Sequence, residues 1–514
     1  MDHVPQLLGL AIAGAISVER LGLARRLLPA APGSAAAIAS GSEPTQTARS
    51  ARAIAVLPFT NLSRDPQEEY FADALTDELI STLSQVHALR VVARTSVFAF
   101  KGENRDIREI GRALGVGTVL EGSVLKEGSR LRLTAQLISA NDGLHLWAES
   151  YEREGTDVFA IQSDLALRIA VALEAELTPA ERARLASRPT DSPEAHAHYL
   201  KGRHFWNQRT RSGYDRAIEH FERAIDADPR YARAYAGLAS VNALQGLSGQ
   251  LSAREGRQRM QEAARKAVEL DGDLAEARAA LGSFLNTYEW DSEAAEREYM
   301  RALELDPSYG SARHFYGNLF RSMGRLDEAI DQKRKAVELD PLAPQLSNSL
   351  GYTLLEAGRP DEALEAFRNV LELDSTYWGG HAGLGSFHEA KGQLVDALGA
   401  HQRAVELGGR DGTNWSASSG LARVLARIGH GDEARRMLAE LEEEADRTGI
   451  ADPDVATVFL ALDDVAGALE WLERSYRQRH PSLRFINWRS EFARLEDDPR
   501  YTDIRRRIGL PDVR

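Results

Sequence analysis

From residue 51 the chain carries two kinds of apolar patterning in turn. "AIAVLPF" at 53–59 is a short apolar run bounded by turn residues, which predicts a buried strand. Phe71, Leu75, Leu79 and Leu83 then recur at four-residue steps within "EYFADALTDELISTLSQV" and predict a helix, with Asp65-Pro66 as the turn before it. "LRVVART" at 89–95 reads as a second strand. "DIREIGRALGV" at 106–116 reads as a short helix with Ile107, Ile110 and Leu114 on one face. "TVLEGSVL", "RLRLTAQLIS" and "LHLWAESYE" predict three strands joined through "KEGS" and "NDG". In the middle one Leu131, Leu133, Ala135 and Leu137 alternate with Arg130, Arg132, Thr134 and Gln136, the period of a half-buried strand. A closing helix sets Val158, Ile161, Leu165, Ile169 and Leu173 along one stripe. Strand, helix, strand, helix, three strands, helix predicts a two-layer α/β (α+β) domain with helices over one face of a mixed sheet.

Beyond residue 193 the pattern becomes helical and repetitive. "RALELDPSY", "RKAVELDPLA" and "RNVLELDSTY" are variants of one phrase, whose acid falls at Asp228, Asp271, Asp306, Asp340 and Asp374, with Gly408 in the equivalent place. After a first step of 43 the spacings are 35, 34, 34 and 34. A 34-residue period with two helices per unit is the tetratricopeptide signature and predicts an all-α superhelical solenoid. Counting Gly310 as position one, Tyr316 and Gly317 stand at seven and eight, Ala329 at twenty, Ala336 at twenty-seven and Pro341 at thirty-two. Leu350, Gly351, Ala363 and Val370 repeat the pattern, as do Leu384, Gly385, Ala397 and Ala404. Small residues let the paired helices approach, and larger apolar ones fill the seam to the next unit. The long first step implies an insertion in "LQGLSGQLSAREG" at 244–256, and the tail "FARLEDDPRYTDIRRRIGL" is expected to form capping helices.

The amino-terminal strands and helices carry a resemblance of their own. "FADALTDELISTLSQV", "LRVVARTSVFAFKG", "LGVGTVLEGSV", "LRLTAQL", "LHLWAESYER" and "DVFAIQ" resemble, in order and spacing, the family related to the amino-terminal domain of TolB, over residues 52–178. Ala74 departs from that family by standing where a glycine is usual, a change a helix interior favours. The resemblance implies a bacterial module set between a membrane span and a repeat array, downstream of a cytoplasmic effector such as a winged-helix domain, a nucleotide cyclase or a kinase. Residues 1–50 are too short to hold such an effector.

Composition narrows the chemistry. Lys plus Arg is 63 against 77 for Asp plus Glu, a formal charge of −14, and no basic patch interrupts it, so nucleic acid is not an expected partner. Cysteine is absent, which removes disulfides, thiolate nucleophiles and zinc ribbons. There is no P-loop, HExxH or GxSxG motif, and "GRALGVGTVLEG" lacks dinucleotide-binding spacing, so neither a cofactor nor an enzymatic activity is expected. The pairs Asp463-Asp464 and Asp497-Asp498 read as solvated helix ends. His381, His388 and His401 stand at positions four, eleven and twenty-four of one repeat, where three imidazoles on one seam would bind zinc or titrate; plain packing is the alternative.

Binding is the expected function, through a protein or peptide lying on the concave face formed by the first helix of each repeat. At position nine, facing that groove by family analogy, stand Ser240, Ser283, Asn318, Tyr352 and Ser386, with His314, Arg321 and Asn348 nearby. The groove lacks the lysines and arginine that clamp a carboxyl terminus in related domains. The apolar, uncharged segment at 4–18 is short for a membrane span and is preceded by Asp2 and His3 rather than a basic stretch. Two locations follow: an anchor at 4–18 with the domains outside the cytoplasm, or an unanchored cytoplasmic chain. The expected organisation is a leader and linker at 1–50, the TolB-N-like domain at 51–180, repeats at 193–447, and a degenerate repeat with capping helices at 448–514.

Overall fold

The computed structural model describes residues 52–63, 69–127, 130–154, 158–208, 210–247, 251–408 and 415–511. The leader and the linker lie outside them, as does the middle of the expected insertion.

The first part is the expected α/β layer. Its strands are β1 (Ala53–Val56), β2 (Thr60–Asn61), β3 (Arg90–Val91), β4 (Thr118–Glu127), β5 (Arg130–Ser139) and β6 (His145–Glu154), and its helices are α1 (Glu69–Ser84), α2 (Arg94–Phe98), α3 (Ile107–Leu114), α4 (Val158–Ala172) and α5 (Pro179–Leu185). Strand order is β3-β1-β4-β5-β6, with β2 also on β4. β1 lies parallel to β3 and β4, and β4, β5 and β6 form an antiparallel meander. The alternation in β5 is realised: Leu131, Leu133, Ala135 and Leu137 are buried while Arg130, Arg132 and Thr134 face out. The strand expected at 89–95 is only two residues long, because the chain turns at Ala93 into α2.

α1 departs from a simple amphipathic helix. Leu75, Leu79 and Leu83 pack on the sheet as predicted, but Asp73, Thr76, Asp77 and Glu78 on the other side are buried too. Ala74 belongs to the core that holds Ala195, Tyr199 and Phe221 of the first repeat, so its methyl group fills space between the two parts of the molecule.

The solenoid follows as antiparallel pairs: α6 (Pro193–Asn207) with α7 (Arg211–Ala227), α8 (Ala232–Leu247) with α9 (Ala253–Leu270), α10 (Ala275–Phe284) with α11 (Ser292–Leu305), α12 (Gly310–Ser322) with α13 (Leu326–Leu339), α14 (Pro344–Glu356) with α15 (Pro360–Leu373), α16 (Trp378–Ala390) with α17 (Leu394–Gly408), and α18 (Trp415–Arg427) with α19 (Gly431–Thr448). A last pair, α20 (Ala456–Ala461) and α21 (Val465–Arg477), precedes α22 (Pro499–Arg507).

Four successive pairs are each keyed by one bulky residue over a glycine. Tyr299, Lys333, Phe367 and His401 follow at 34-residue steps, and a Cβ on Gly282, Gly317, Gly351 or Gly385 would come within 3.1, 2.9, 2.5 and 2.6 Å of them respectively. The turn between the paired helices is equally regular. Trp290, Gly324, Gly358 and Gly392 share a left-handed conformation with φ of 60, 74, 69 and 72°. Of these four only Trp290 places a side chain in that strained position, and there α10 ends in a π-turn, Leu285–Glu289.

The tail differs from a row of capping helices. Pro481–Trp488 and Ser490–Leu495 are 3-10 turns, and only α22 is α-helical. The segment returns to the early repeats: Arg479 stacks 4.6 Å over Trp290, and Arg484 donates to Ser292 Oγ at 2.6 Å and Ser322 Oγ at 3.2 Å. Leu483, Ile486, Phe492, Leu495, Tyr501 and Ile504 share a core with Val455, Trp471 and Leu472, which is why this end folds inward instead of stacking as another unit.

Candidate binding site

Two neighbouring regions of the repeats carry polar groups that face a second body. The first is the seam with the α/β domain, built on the repeated phrase itself. In Asp228, Asp271, Asp306 and Asp374 one carboxylate oxygen accepts from the backbone N–H two residues on, at 2.9, 3.0, 2.9 and 2.9 Å, holding the turn between units. In the third and fourth units the acid also meets the amino-terminal domain. Ser84 Oγ donates to Asp306 Oδ2 at 2.6 Å, and Ser96 donates to Asp340 Oδ1 from its N–H at 3.0 Å and its hydroxyl at 2.6 Å. The backbone of the same turns is also bonded: the Ala93 N–H donates to Leu339 O at 2.8 Å, Arg90 to Glu338 O at 3.1 Å, and a His87 ring nitrogen lies 2.8 Å from Glu304 O.

Charge is matched along the same seam. Arg203 reaches Asp77 at 3.0 Å and Arg233 reaches Glu78 at 2.9 Å, so these two buried acids of α1 are neutralised by arginines of the first two repeats, while Asp73 pairs with Lys101 of the α/β domain. A cavity of about 160 Å³ remains between the parts, lined among others by Ser81, Arg94, Trp206, Ser240, Glu276 and Tyr309.

The second region is the inner surface formed by the first helices. His314, Asn318 and Arg321 all sit on α12, with Asn318 Nδ2 3.3 Å from His314 Nε2. Beneath them lies Lys333, 1% exposed, whose Nζ donates to Asn318 Oδ1 at 2.6 Å and Ser349 Oγ at 2.5 Å. Burial and the neighbouring Arg321 charge push the Lys333 ammonium well below its usual range. Burial, with Lys333 and Arg321 adding to it, pushes the His314 imidazole down to about 3, so it stays neutral near pH 7. Arg321 pairs with Glu356 through Nε at 2.6 Å and lies 4.6 Å from the ring of Phe485, a residue of the returning tail. His314 Nδ1 and Asn348 Oδ1 have no hydrogen-bond partner among the described residues.

The other groove candidates are distributed. Tyr352 packs against Phe367 at 5.3 Å, and burial, relieved in part by a bond with Ser386, raises its phenol to about 12. Ser283 turns inward onto Tyr299 Oη at 3.0 Å, and Ser240 bonds its own helix at Ala236 O, 2.9 Å, while facing the interdomain cavity. The predicted residues therefore divide: His314, Asn318 and Arg321 are joined, Tyr352 and Ser386 form a pair, and Ser240 and Ser283 stand apart. Lys333 escaped the sequence reading because it occupies position twenty-four, a packing place held by Tyr299, Phe367 and His401 in sister units. The signal was a charged residue where its equivalents are rings.

The three histidines do not converge. His381 meets Ser375 O at 3.1 Å, His388 meets Gln393 at 2.8 Å, and His401 meets Glu389 at 2.9 Å. Helical spacing sends them to different partners, and among the described residues no group of three or more acids and imidazoles is arranged to hold a metal ion. His401 instead joins an ionic cluster. Glu389 also accepts from Arg423 Nε at 2.9 Å and Arg427 at 3.1 Å, and Arg423 reaches Thr457 at 3.0 Å and Glu491 of the tail at 3.4 Å. Burial alone would raise the Glu389 carboxyl, but the Arg423 charge and the bonds from Arg423 and His401 overcome it and hold it far below the carboxylate range. Among the described residues no helix is long and apolar enough to cross a membrane, and the segment at 4–18 lies outside them.

The helix pairs are tetratricopeptide repeats, matched over residues 203–270, 291–344 and 348–411. Repeats of this kind build a protein-interaction scaffold. Residues 50–168 match the family described as the second domain of HilA/YgeH-like transcriptional regulators. A curated relative, putative adenylate cyclase 3 of Rhizobium meliloti (strain 1021), is 41% identical over 200 residues, which are 39% of this chain and 34% of that one. The chain thus spans about a third of that relative's length. Among solved structures it is similar to PilF of Pseudomonas aeruginosa (23% identity, 41% of this chain and 92% of that one, TM-score 0.32). It is also similar to PilW, a type IV pilus biogenesis factor (18% identity, 45% and 98%, TM-score 0.35), and to a human IFIT1 dimer (16% identity, 62% and 77%, TM-score 0.42).

Proposed function

We propose that the protein is a non-catalytic adaptor whose inner repeat surface takes an extended protein segment, with the TolB-N-like domain at 51–180 as a second docking or sensing module. The observation that carries this reading is a pair of unpartnered polar atoms on adjacent units, the donor N–H at His314 Nδ1, protonated because Nε2 accepts from Asn318, and the acceptor Asn348 Oδ1, beside the hydroxyls of Tyr352 and Ser386. A buried polar atom without a partner costs about 1–3 kcal/mol, and a ligand backbone supplies a C=O for the first and an N–H for the second. The affinity expected is a sum of modest polar contacts along several units. The test is affinity purification from the native cells with the whole chain and with the Asn348→Ala/Tyr352→Ala variant, folding being checked by circular dichroism. Partners recovered by the first and lost by the second support the groove; an unchanged partner set removes it.

A second reading has its own support. The HilA/YgeH-type match and the 41% identity to a putative adenylate cyclase favour a sensory component acting on a separately encoded effector. That reading requires a cyclase or a winged-helix regulator to co-purify with the chain, and a partner set free of both sets it aside. Fractionation decides between the two locations, since recovery solely in the soluble cytoplasmic fraction rules out an anchor at 4–18.

A further inference from the structure

Of the two acids of the repeated phrase buried against serines of the amino-terminal domain, Asp306 also has the Glu276 carboxylate facing it. Asp306 is 6% exposed, holds Ser84 across the seam at 2.6 Å, and has no ion pair among the described residues. The groups facing it come from each packed element. From α10 comes Glu276, which accepts from Ser81 Oγ at 3.3 Å. From α12 comes Arg313, whose Nε and Nη2 are committed to Pro307 O at 3.1 and 2.7 Å and whose Nη1 is committed to Gln332 at 3.2 Å. Tyr309 comes from the turn, and from α1 and the loop after it come Ser84 and His87, whose ring bonds Glu181 at 2.9 Å and Glu304 O at 2.8 Å. Glu276 and Asp306 both line the interdomain cavity, together with Asp77 and Asp340 and with Arg94 of α2, Arg203 of α6 and Arg233 of α8, of which Arg203 and Arg233 are held by Asp77 and Glu78.

We propose that docking of the α/β domain onto the repeats is a proton-controlled latch with Asp306 as its titrating group. A protonated Asp306 closes against Ser84 without charge. An ionised one sets a second carboxylate beside Glu276 inside the seam, and the domain loosens. This latch acts whether or not the groove holds a protein ligand.

The sign follows from the two states. Burial, with Glu276 adding to it and the Ser84 bond offsetting part, raises docked Asp306 to about 7, whereas an aspartate in water titrates near 3.9. The docked state binds the proton more tightly, so docking is undiminished below about pH 4, weakens as pH rises toward 7, and levels off above. Between pH 5 and 8 the undocked fraction grows by about a hundredfold.

The Ala93 N–H is the probe, because its acceptor, Leu339 O, belongs to the repeats. Hydrogen exchange of that amide, corrected for intrinsic base catalysis, is expected to lose about a hundredfold of protection from pH 5 to 8 in the whole chain. The slope is expected to disappear in Asp306→Asn, which keeps the acceptor for Ser84, and to shrink in Glu276→Gln. Asp340→Asn, the same substitution one repeat later, is expected to retain it. Protection that is independent of pH in the wild type, or an equal slope in Asp306→Asn, overturns the proposal. Should Asp306→Asn not fold, Glu276→Gln decides: an unchanged slope there also overturns it.

Discussion

Lys333 occupies a place where an aromatic ring keys the sister repeats, and its ammonium is buried with only neutral acceptors bonded to it. Removing a charge from such a site is often neutral or stabilising when the replacement fills the same volume. Lys333→Met also removes the donor to Asn318 Oδ1, and an orphaned buried acceptor costs about 1–3 kcal/mol, so the variant is expected to keep the fold and to lose roughly 1 kcal/mol of stability, read from urea denaturation. Asp463 offers a second check on local strain. It has a φ of 63° where the preceding unit has Gly429, and its partner Arg494 is a surface pair at 3.1 Å. Asp463→Gly is expected to gain roughly 0.5–1 kcal/mol, since relief of the left-handed conformation exceeds the value of an exposed ion pair. Residues of this kind were legible only in part. The repeat register placed Asn318, Tyr352 and Ser386 at position nine, but register says nothing about whether a hydroxyl turns outward, and Ser283 turned in to Tyr299.

Helices and strands were legible where one side chain pattern met one environment. β5 and the 34-residue helix pairs follow their periodicity, because a single buried face decided each. α1 did not, since its polar face found arginines of the repeats rather than water, and the strand expected at 89–95 broke where Ala93 meets Leu339. The ionic cluster tying α16, α18 and the tail gives two predictions at this scale. Arg423→Ala leaves Glu389 buried beside a partial complement and is expected to cost about 3–5 kcal/mol. The cluster also makes the repeats acid-labile. Burial, only partly offset by Glu389, lowers His401 below its ordinary value, so its contribution is full above about pH 6.5 and falls as pH drops toward the folded value. Glu389, depressed in the folded state, contributes fully above about 4.5 and loses its share further down. His401→Phe, which restores the ring found at Phe367, is expected to flatten the upper part of that decline in denaturation midpoints measured from pH 7 to 5. An unchanged decline would assign it to another group.

At the scale of the whole molecule, the α/β domain and the tail both fold back onto the repeats among the described residues. Serines of the amino-terminal domain hold aspartates more than 200 residues away, and the tail returns to Trp290, Ser292 and Arg321. None of this was legible, because periodicity describes neighbours along the chain and the phrase Asp looked like turn punctuation. It is that, and in Asp306 and Asp340 it is also the seat of a second domain. The inner surface left between these two attachments, around Asn348, Tyr352 and Ser386, is where the account places a protein ligand. A photo-crosslinking residue installed at position 348, and separately at Val395, which is 80% exposed on the second helix of its unit, tests this most directly in the native cells. A discrete crosslinked partner from position 348, absent from position 395, is the expected result. Identical products from both positions, or none from position 348, would contradict it.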